Sequence, residues 1–268
     1  MTTISAAAVQ SLRARTGVSI LAVKQALEEA GGNEEKAIEI LRKRGIAQAV
    51  KKADRDQSEG AIFIESSGSK AGIVLLKCET DFVARDAGFR AVGQAIAKEL
   101  LGKGADAAKK LAEAKIPEAV NKLGENITVS ESILVEAPVI GTYVHSNSKI
   151  GVVIGLDPSS AAANSGQAEL VAKARDVAMH AAAMNPLYTT PEEVPGSAVE
   201  KEKEIWKEQL AKEGKPQQIL EKIMLGKEKK FREENALVKQ PFVKDNSKTV
   251  EQYLGGSKVT AYMRVAIG

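Results

Sequence analysis

GAIFIESSGSKAGIVLL, residues 60–76, is an apolar run rich in branched and aromatic residues, then a polar turn containing Gly, then a second apolar run. That order predicts two antiparallel strands joined by a tight turn. GTYVHSNSKIGVVIGL, residues 141–156, repeats it: in both stretches a Ser-Lys pair leads through one apolar residue to a Gly followed by branched apolar residues. Each hairpin precedes a segment with helical apolar spacing, 86–101 in the first half and 167–183 in the second, which would cover one sheet face. The fold class is therefore α+β, with two related core subdomains as the simplest architecture. Hairpins of this length also resemble one another by chance, so common ancestry stays one of two readings. Residues 127–137 supply a further strand candidate between the halves, and 258–267 a last strand expected to rejoin the second sheet.

Upstream of the first hairpin the apolar spacing changes from strand to helix. Ile4, Ala8, Val9 and Leu12 form one stripe; after a break at Thr16-Gly17, Ile20, Val23, Ala26, Leu27 and Ala30 form a second that stops at Gly31-Gly32. Asn33 is placed to cap a third helix with Ala37, Ile38 and Leu41 inward, Glu34 and Glu35 in its first turn, and Arg42, Lys43 and Arg44 in its last, ending at Gly45. Three helices in this length predict a small, separate bundle. AQAVKKADRDQSE, residues 47–59, is polar and reads as a linker with room for partial helix. The expected units are 1–54 (bundle with linker), 55–140 (first core subdomain) and 141–268 (second core subdomain).

Past the Pro-rich stretch NPLYTTPEEVPG, residues 197–213 and 216–234 have the charge and spacing of two amphipathic helices separated by Gly214-Lys215. They predict an antiparallel hairpin, 197–236, inserted in the second subdomain. Ile205, Leu210, Ile219, Ile223 and Phe231 are too few apolar residues for a globular unit, so the hairpin is expected to project and to pack on a partner or on a second copy.

Composition narrows the function. The 268 residues are 44% hydrophobic and 27% charged, ordinary for a soluble protein, and no apolar run reaches the roughly 18–20 residues of a membrane span. The opening MTTISAAAVQ lacks the pattern of a secretory or transit segment, which predicts a mature start here and a cytoplasmic location. One cysteine, Cys78, and two histidines, His145 and His180, exclude an internal disulfide and argue against structural zinc. No cofactor is implied. A net charge of +3 from 38 basic and 35 acidic residues is too balanced to indicate nucleic acid, and 4% aromatic content weakens base stacking.

No Walker loop, spaced metal-ligand set, or Ser or Cys nucleophile with a positioned His is present, so no enzyme chemistry is predicted. Cys78 lies among apolar neighbours and reads as a buried small hydrophobe. His180, within AMHAAAMNP, reads as a structural or a contact residue, and His145, in a hairpin turn, as a solvated or a recognition residue. Residues 42–52 hold five Lys or Arg and no acid, which fits either a nucleic-acid contact or a solvated helix end. ETDFVARD, residues 79–86, marks the junction of the second strand with a helix. There Asp81 and Phe82 read either as a cap and a core staple, or as an exposed pair available for contact.

These segments together resemble the elongation factor Ts family over essentially the whole chain. LRARTGVSILAVKQALEEAGGNEEKAIEILRKRG and TDFVARDAGF match its two signatures, and LGENI (123–127), MHAAAMNP, GKPQQILEKIMLGKEKKF and QPFV follow in the family's order. The resemblance implies a three-helix bundle like the ubiquitin-associated domain, two α+β core subdomains and an inserted helical hairpin. It implies a guanine-nucleotide exchange factor that binds elongation factor Tu, GDP-bound and nucleotide-free, without catalysing covalent chemistry. By that resemblance Thr80, Asp81, Phe82 and Val83 enter the partner's nucleotide domain near its magnesium, Arg13, Ile20 and Leu21 form the bundle contact, and His145 meets the partner's third domain. No nucleic acid or membrane is expected as a partner, and a homodimer through the helical hairpin is a further expectation. The rival reading is a binding module that recruits a partner through the bundle alone. Two departures stand out. Family members often carry Met where Ile20 and Leu21 stand, and many continue past the last strand into a helical module that grips the partner, whereas this sequence stops at Gly268, an expectation of reduced affinity unless the second half compensates.

Overall fold

In the computed structural model, which describes residues 4–16, 18–158, 166–211 and 216–268, the first hairpin closes around Gly68. β1 (Glu59–Ser67) and β2 (Lys70–Cys78) pair antiparallel from Glu59↔Cys78 to Ser67↔Lys70, with Gly68 at φ 57 in the turn. β3 (Thr128–Glu136) joins the other side of β2, giving the order β1-β2-β3. The second hairpin, β4 (Val139–Val144) and β5 (Ile150–Asp157), follows the same plan, and β8 (Lys258–Ala266) completes β4-β5-β8. In both sheets the hairpin's second strand is central and carries a register shift near its end, at Leu75/Leu76 and at Gly155/Leu156.

Both central strands are buried on two faces, which is why GIVLL and GVVIGL are continuous apolar runs and not alternating ones. One face of each sheet meets the other sheet: Ile62, Ile73, Leu75 and Val135 share a core with Ile140, Val153 and Val265. The outer face of the first sheet, Phe63, Val74 and Leu76, packs on Phe89, Ile96 and Leu100 of α5 (Ala87–Lys103) and on Val120 of α6 (Ala105–Leu123). The outer face of the second sheet, Val152, Ile154 and Leu156, packs on Leu170, Ala174 and Val177 of α7 (Gln167–Met184). The layers run helix, sheet, sheet, helix. Gly151 lies at the contact between sheets, where a Cβ would fall 2.5 Å from Ile62 Cγ2, so the close approach requires glycine.

α1 (Ala6–Thr16), α2 (Ile20–Glu29) and α3 (Glu34–Lys52) surround Leu12, Val23, Ala26, Leu27, Ala37 and Leu41. Asn33 Oδ1 accepts the Lys36 N–H at 3.0 Å, the predicted cap. Three sequence expectations are corrected. α3 does not end at Gly45 but runs through it to Lys52, shortening the expected linker: Gly45 faces α6, where a Cβ would lie 2.8 Å from the Pro117 carbonyl oxygen. The glycine serves close helix packing, not termination. Arg42 pairs with Glu118 at 3.5 Å, and the Lys52 ammonium donates to the Gly124 carbonyl, so the helices are tied to α6 and do not stand apart. Ile20 does not point inward with its stripe; it is 56% exposed at the start of α2. Gly17 of the predicted break lies outside the described residues.

Beyond a 3-10 turn at Pro191–Glu193, α8 (Gly196–Ala211) and α9 (Gln217–Asn235) pack on each other through Trp206 and Phe231, with ring centroids 5.9 Å apart, and through the Lys203–Glu228 pair at 3.0 Å. Of the apolar residues named for this hairpin, Leu210 is buried while Ile205 and Ile219 are exposed; Val199 and Trp206 are buried as well. Gly214-Lys215 lies outside the described residues. The chain returns through β6 (Pro241–Phe242), β7 (Asp245–Thr249) and α10 (Val250–Leu254) to β8.

His180 is structural: its ring is buried in α7 and joins that helix to the return segment. Nδ1 accepts the Val243 N–H at 3.2 Å, so the proton sits on Nε2, which donates to Gln240 Oε1 at 3.0 Å. Burial pushes its pKa below the usual histidine value, against the opposing pull of the Gln240 bond. The unfolded chain therefore binds more protons. The stabilisation from neutral His180 is complete above about pH 6.5 and is lost as pH falls through the folded-state value. The drop in melting temperature between pH 7 and pH 5 is expected to shrink in His180→Asn; an unchanged drop would refute this.

Candidate functional site

The segment that leaves β2 turns through α4 (Asp81–Arg85), a single helical turn set between two caps. Thr80 Oγ1 accepts the Val83 N–H at 3.4 Å at its start. Asp86 ends it and caps α5, its Oδ1 accepting from Gly88 N–H at 2.7 Å and Phe89 N–H at 3.2 Å. The capping expectation for Asp81 is corrected: it is the first helical residue and pairs with Arg85 at 2.9 Å. Phe82 is 81% exposed, while Val83, Ala84 and Phe89 turn into the core beside it. The staple reading of Phe82 is thereby overturned. Cys78, directly below, donates its S–H to the Thr80 carbonyl at 3.2 Å; burial pushes the thiol up to about 12, and it stays protonated.

His145 lies exposed in the β4–β5 turn, its Nδ1 2.9 Å from the Tyr143 hydroxyl. Ser148 closes this turn in the left-handed region at φ 58, its N–H donating to the His145 carbonyl at 2.7 Å. The turn is fastened to the first subdomain. Ser148 O accepts the Ile62 N–H at 2.8 Å, Arg90 of α5 donates to Ser148 Oγ at 3.3 Å, and Lys149 pairs with Glu59 at 2.7 Å. Because Glu59 stands opposite Cys78, the His145 turn and the Thr80–Val83 segment occupy the same end of the first hairpin.

Arg13, Ile20 and Leu21 belong to the helical bundle. Arg13 is exposed in the last turn of α1; Ile20 and Leu21, the latter 66% exposed, open α2 just after its Ser19 cap. Their neighbours Val23, Ala26 and Leu27 fill the bundle core, so this adjacent apolar pair is left facing solvent.

Three residues that hold the Thr80 segment escaped the sequence reading: Glu79, Glu125 and Asn126. Glu125 follows the left-handed Gly124 that ends α6 and accepts from the N–H groups of Glu79 and Thr80, both at 3.0 Å. Asn126 N–H donates to Glu79 Oε1 at 2.7 Å, and the buried Asn126 amide donates to the carbonyls of Ala53 at 3.2 Å and Arg55 at 3.0 Å. The one signal was the LGENI match itself, since no local periodicity links positions so far apart in sequence. Among the described residues no cluster of His, Cys, Asp and Glu is arranged to hold a metal, and no helix is long and apolar enough to cross a membrane.

The family model for elongation factor TS matches residues 79–268, from the Thr80 segment through β3 and the whole second sheet to the end of β8. The elongation factor Ts of Marinobacter nauticus is 44% identical over 276 residues, covering 100% of this chain and 92% of its own length. That of Deinococcus radiodurans is 41% identical over 269 residues, covering 97% of this chain and 98% of its own. That of Teredinibacter turnerae is 44% identical, with 99% and 91% covered. With residues 79–268 matched by the family model and 97–100% of the chain by these relatives, the chain belongs to the elongation factor Ts family.

Proposed function

We propose that this chain is a guanine-nucleotide exchange factor that inserts the Thr80–Val83 segment into the nucleotide domain of elongation factor Tu. Exchange on elongation factor Tu is the activity of the family to which the chain belongs. The observation that carries the reading is Phe82, bare on a capped helical turn beside a rigid sheet. Thr80 and Val83 frame that turn, and Asp81 places a carboxylate next to the ring. An apolar wedge with an adjacent carboxylate disturbs the groups around a phosphate-bound magnesium, one of the strongest contacts that hold a nucleotide. No covalent step is needed, so the chain is not an enzyme in the bond-making sense. By linkage, whatever factor it takes from GDP affinity, GDP takes from its own.

Docking is assigned to Arg13, Ile20 and Leu21 on the bundle and to His145 on the second subdomain. In this reading residues 1–54 form a ubiquitin-associated-like domain, 55–140 and 141–268 two related core subdomains, and 197–236 an inserted antiparallel hairpin. The location is cytoplasmic, and neither nucleic acid nor membrane is a partner. The exposed Leu225 and Ile219 on α9 support self-association through the hairpin, which sedimentation velocity would reveal.

The direct test is stopped-flow release of fluorescent GDP from a cognate elongation factor Tu on addition of the full chain. Release is expected to accelerate and to saturate with concentration. A trace identical to the intrinsic rate, with a different ligand held by the bundle, would favour the binding-module reading instead.

A further inference from the structure

The turn that presents Phe82 is fixed from beneath by one side chain that reaches it from a distant part of the sequence. Glu125 Oε2 accepts both the Glu79 and the Thr80 N–H, each at 3.0 Å, and Oε1 accepts the Thr80 hydroxyl at 2.6 Å. That last bond commits the hydroxyl hydrogen and leaves an oxygen lone pair facing the Val83 N–H, the cap of α4. The cap that starts the Phe82 turn is therefore oriented by Glu125. Glu79 answers in the opposite direction, taking the Asn126 N–H at 2.7 Å, so the strand end and the loop after α6 are laced reciprocally.

α4 has five residues, too few to hold its own shape in water. Phe82 gains no packing that would fix it, and the Asp81–Arg85 pair is an exposed one of small effect. The direction of the ring is thus set by what holds the turn's backbone: Val83 and Ala84 in the core, Asp86 at its end and Thr80 at its start, of which Thr80 is the one next to Asp81 and Phe82. A wedge ordered before contact does not lose that freedom on insertion, and misplacement of a reacting element by even 1 Å has large rate consequences. The core beneath, Phe89, Ile96, Leu100 and Val120, is complete without Glu125.

We propose that Glu125 is a positioning residue for nucleotide exchange: it locks the Thr80 cap so that Asp81 and Phe82 are presented in the orientation that enters the partner. The inference rests on the exchange reading given above. It separates Glu125 from the docking residues, because its loss changes how fast GDP leaves the assembled complex and not how readily the complex assembles.

The experiment uses the full chain with a cognate elongation factor Tu carrying labelled GDP, and reads the maximal release rate and the half-saturating concentration separately. Glu125→Ala is expected to lower the maximal rate about tenfold or more while the half-saturating concentration stays within about threefold, the split that marks a step after binding. Amide hydrogen exchange supplies the structural readout: the Glu79 and Thr80 amides should lose protection while those of β1 and β2 keep theirs. Glu125→Gln should be intermediate. One amide oxygen still serves the two backbone N–H groups, but its NH2 faces the Thr80 hydroxyl, which loses its acceptor; this variant carries the comparison if Glu125→Ala melts below the assay temperature. Introduced into the Asp81→Ala/Phe82→Ala double variant, Glu125→Ala should cost less than about twofold more, because both side chains it positions are already gone. A normal maximal rate with the two amides deprotected would overturn the proposal, as would a full further loss in the Asp81→Ala/Phe82→Ala background. If Phe82→Ala is slow and Glu125→Ala is normal, the positioning role fails alone; if Phe82→Ala is itself normal, the exchange reading of this turn fails with it.

Discussion

Phe82→Ala is expected to leave the melting temperature nearly unchanged while GDP release at saturation falls by about tenfold or more, the loss of at least about 1.4 kcal/mol of differential contact. Removing a buried Phe costs about 3–5 kcal/mol through the cavity left behind, whereas an exposed substitution away from special features falls within about 0.5 kcal/mol. At 81% exposure, with Val83, Ala84 and Phe89 filling the core beside it, Phe82 belongs to the second class. The variant should still dock, because Ile20, Leu21 and His145 lie on other elements. Asp81→Ala should act in the same direction, and the double variant should lose less than the sum, since both side chains would act on one site. A thermal melt paired with a stopped-flow trace decides the matter: a large fall in melting temperature with normal release below the melt would sink the wedge.

Strand pairing was legible because it is written locally. The repeated Ser-Lys-apolar-Gly order marks both hairpins, and the branched runs 72–76 and 151–156 are continuous because each strand is buried on both faces. The helical segments 86–101 and 167–183 read as the cover of one face of each sheet, but nothing in the sequence says what covers the other face. The packing of the two sheets on one another through Ile73 and Val153 is a long-range fact with no local signature. Gly45 shows the opposite failure, where a local signal was present and meant something else. A glycine after a basic last turn reads as a helix stop, yet here it admits the Pro117 carbonyl of a neighbouring helix. α6 itself went unread, since its buried residues include the small Ala108 and Ala119 and Pro117 interrupts its pattern.

The candidate site divides along the same line. Exposure of Phe82 follows from its helical turn being too short to bury two sides, and the sequence left it as one of two readings until the caps at Thr80 and Asp86 were located. Glu125 and Asn126 were invisible as contacts because their bonds span Glu125 to Thr80 and Asn126 to Ala53, separations at which periodicity carries no information. Exchange by such a device needs two kinds of residue with separable effects. Some set how tightly the complex forms, and others set what the complex does to the nucleotide, so their variants should fall into distinct kinetic classes.

Leu21→Asp should define the first class, with association to GDP-bound elongation factor Tu weakened more than tenfold, about 1.4 kcal/mol or more, and release at saturation unchanged. Leu21 is 66% exposed beside Ile20, while the inward face of α2 is supplied by Val23, Ala26 and Leu27, so the substitution removes nothing from the bundle core. It falls in the first turn of α2, after the Ser19 side chain that caps the helix at Ala22 N–H. A carboxylate there faces the positive end of the helix dipole, which favours the folded bundle by about 0.3–1 kcal/mol. Stability and contact are thereby pushed in opposite directions by one change. A folded bundle with weakened binding cannot be mistaken for an unfolding defect, since placing an uncompensated charge in a desolvated apolar contact is what the partner would resist. Substituting Met, the residue the family often carries here, should hold affinity within a few-fold, about 1 kcal/mol or less, because it conserves apolar volume. Titration calorimetry on the three chains reads the outcome, and unweakened binding by Leu21→Asp with the bundle intact would remove this surface from the interface.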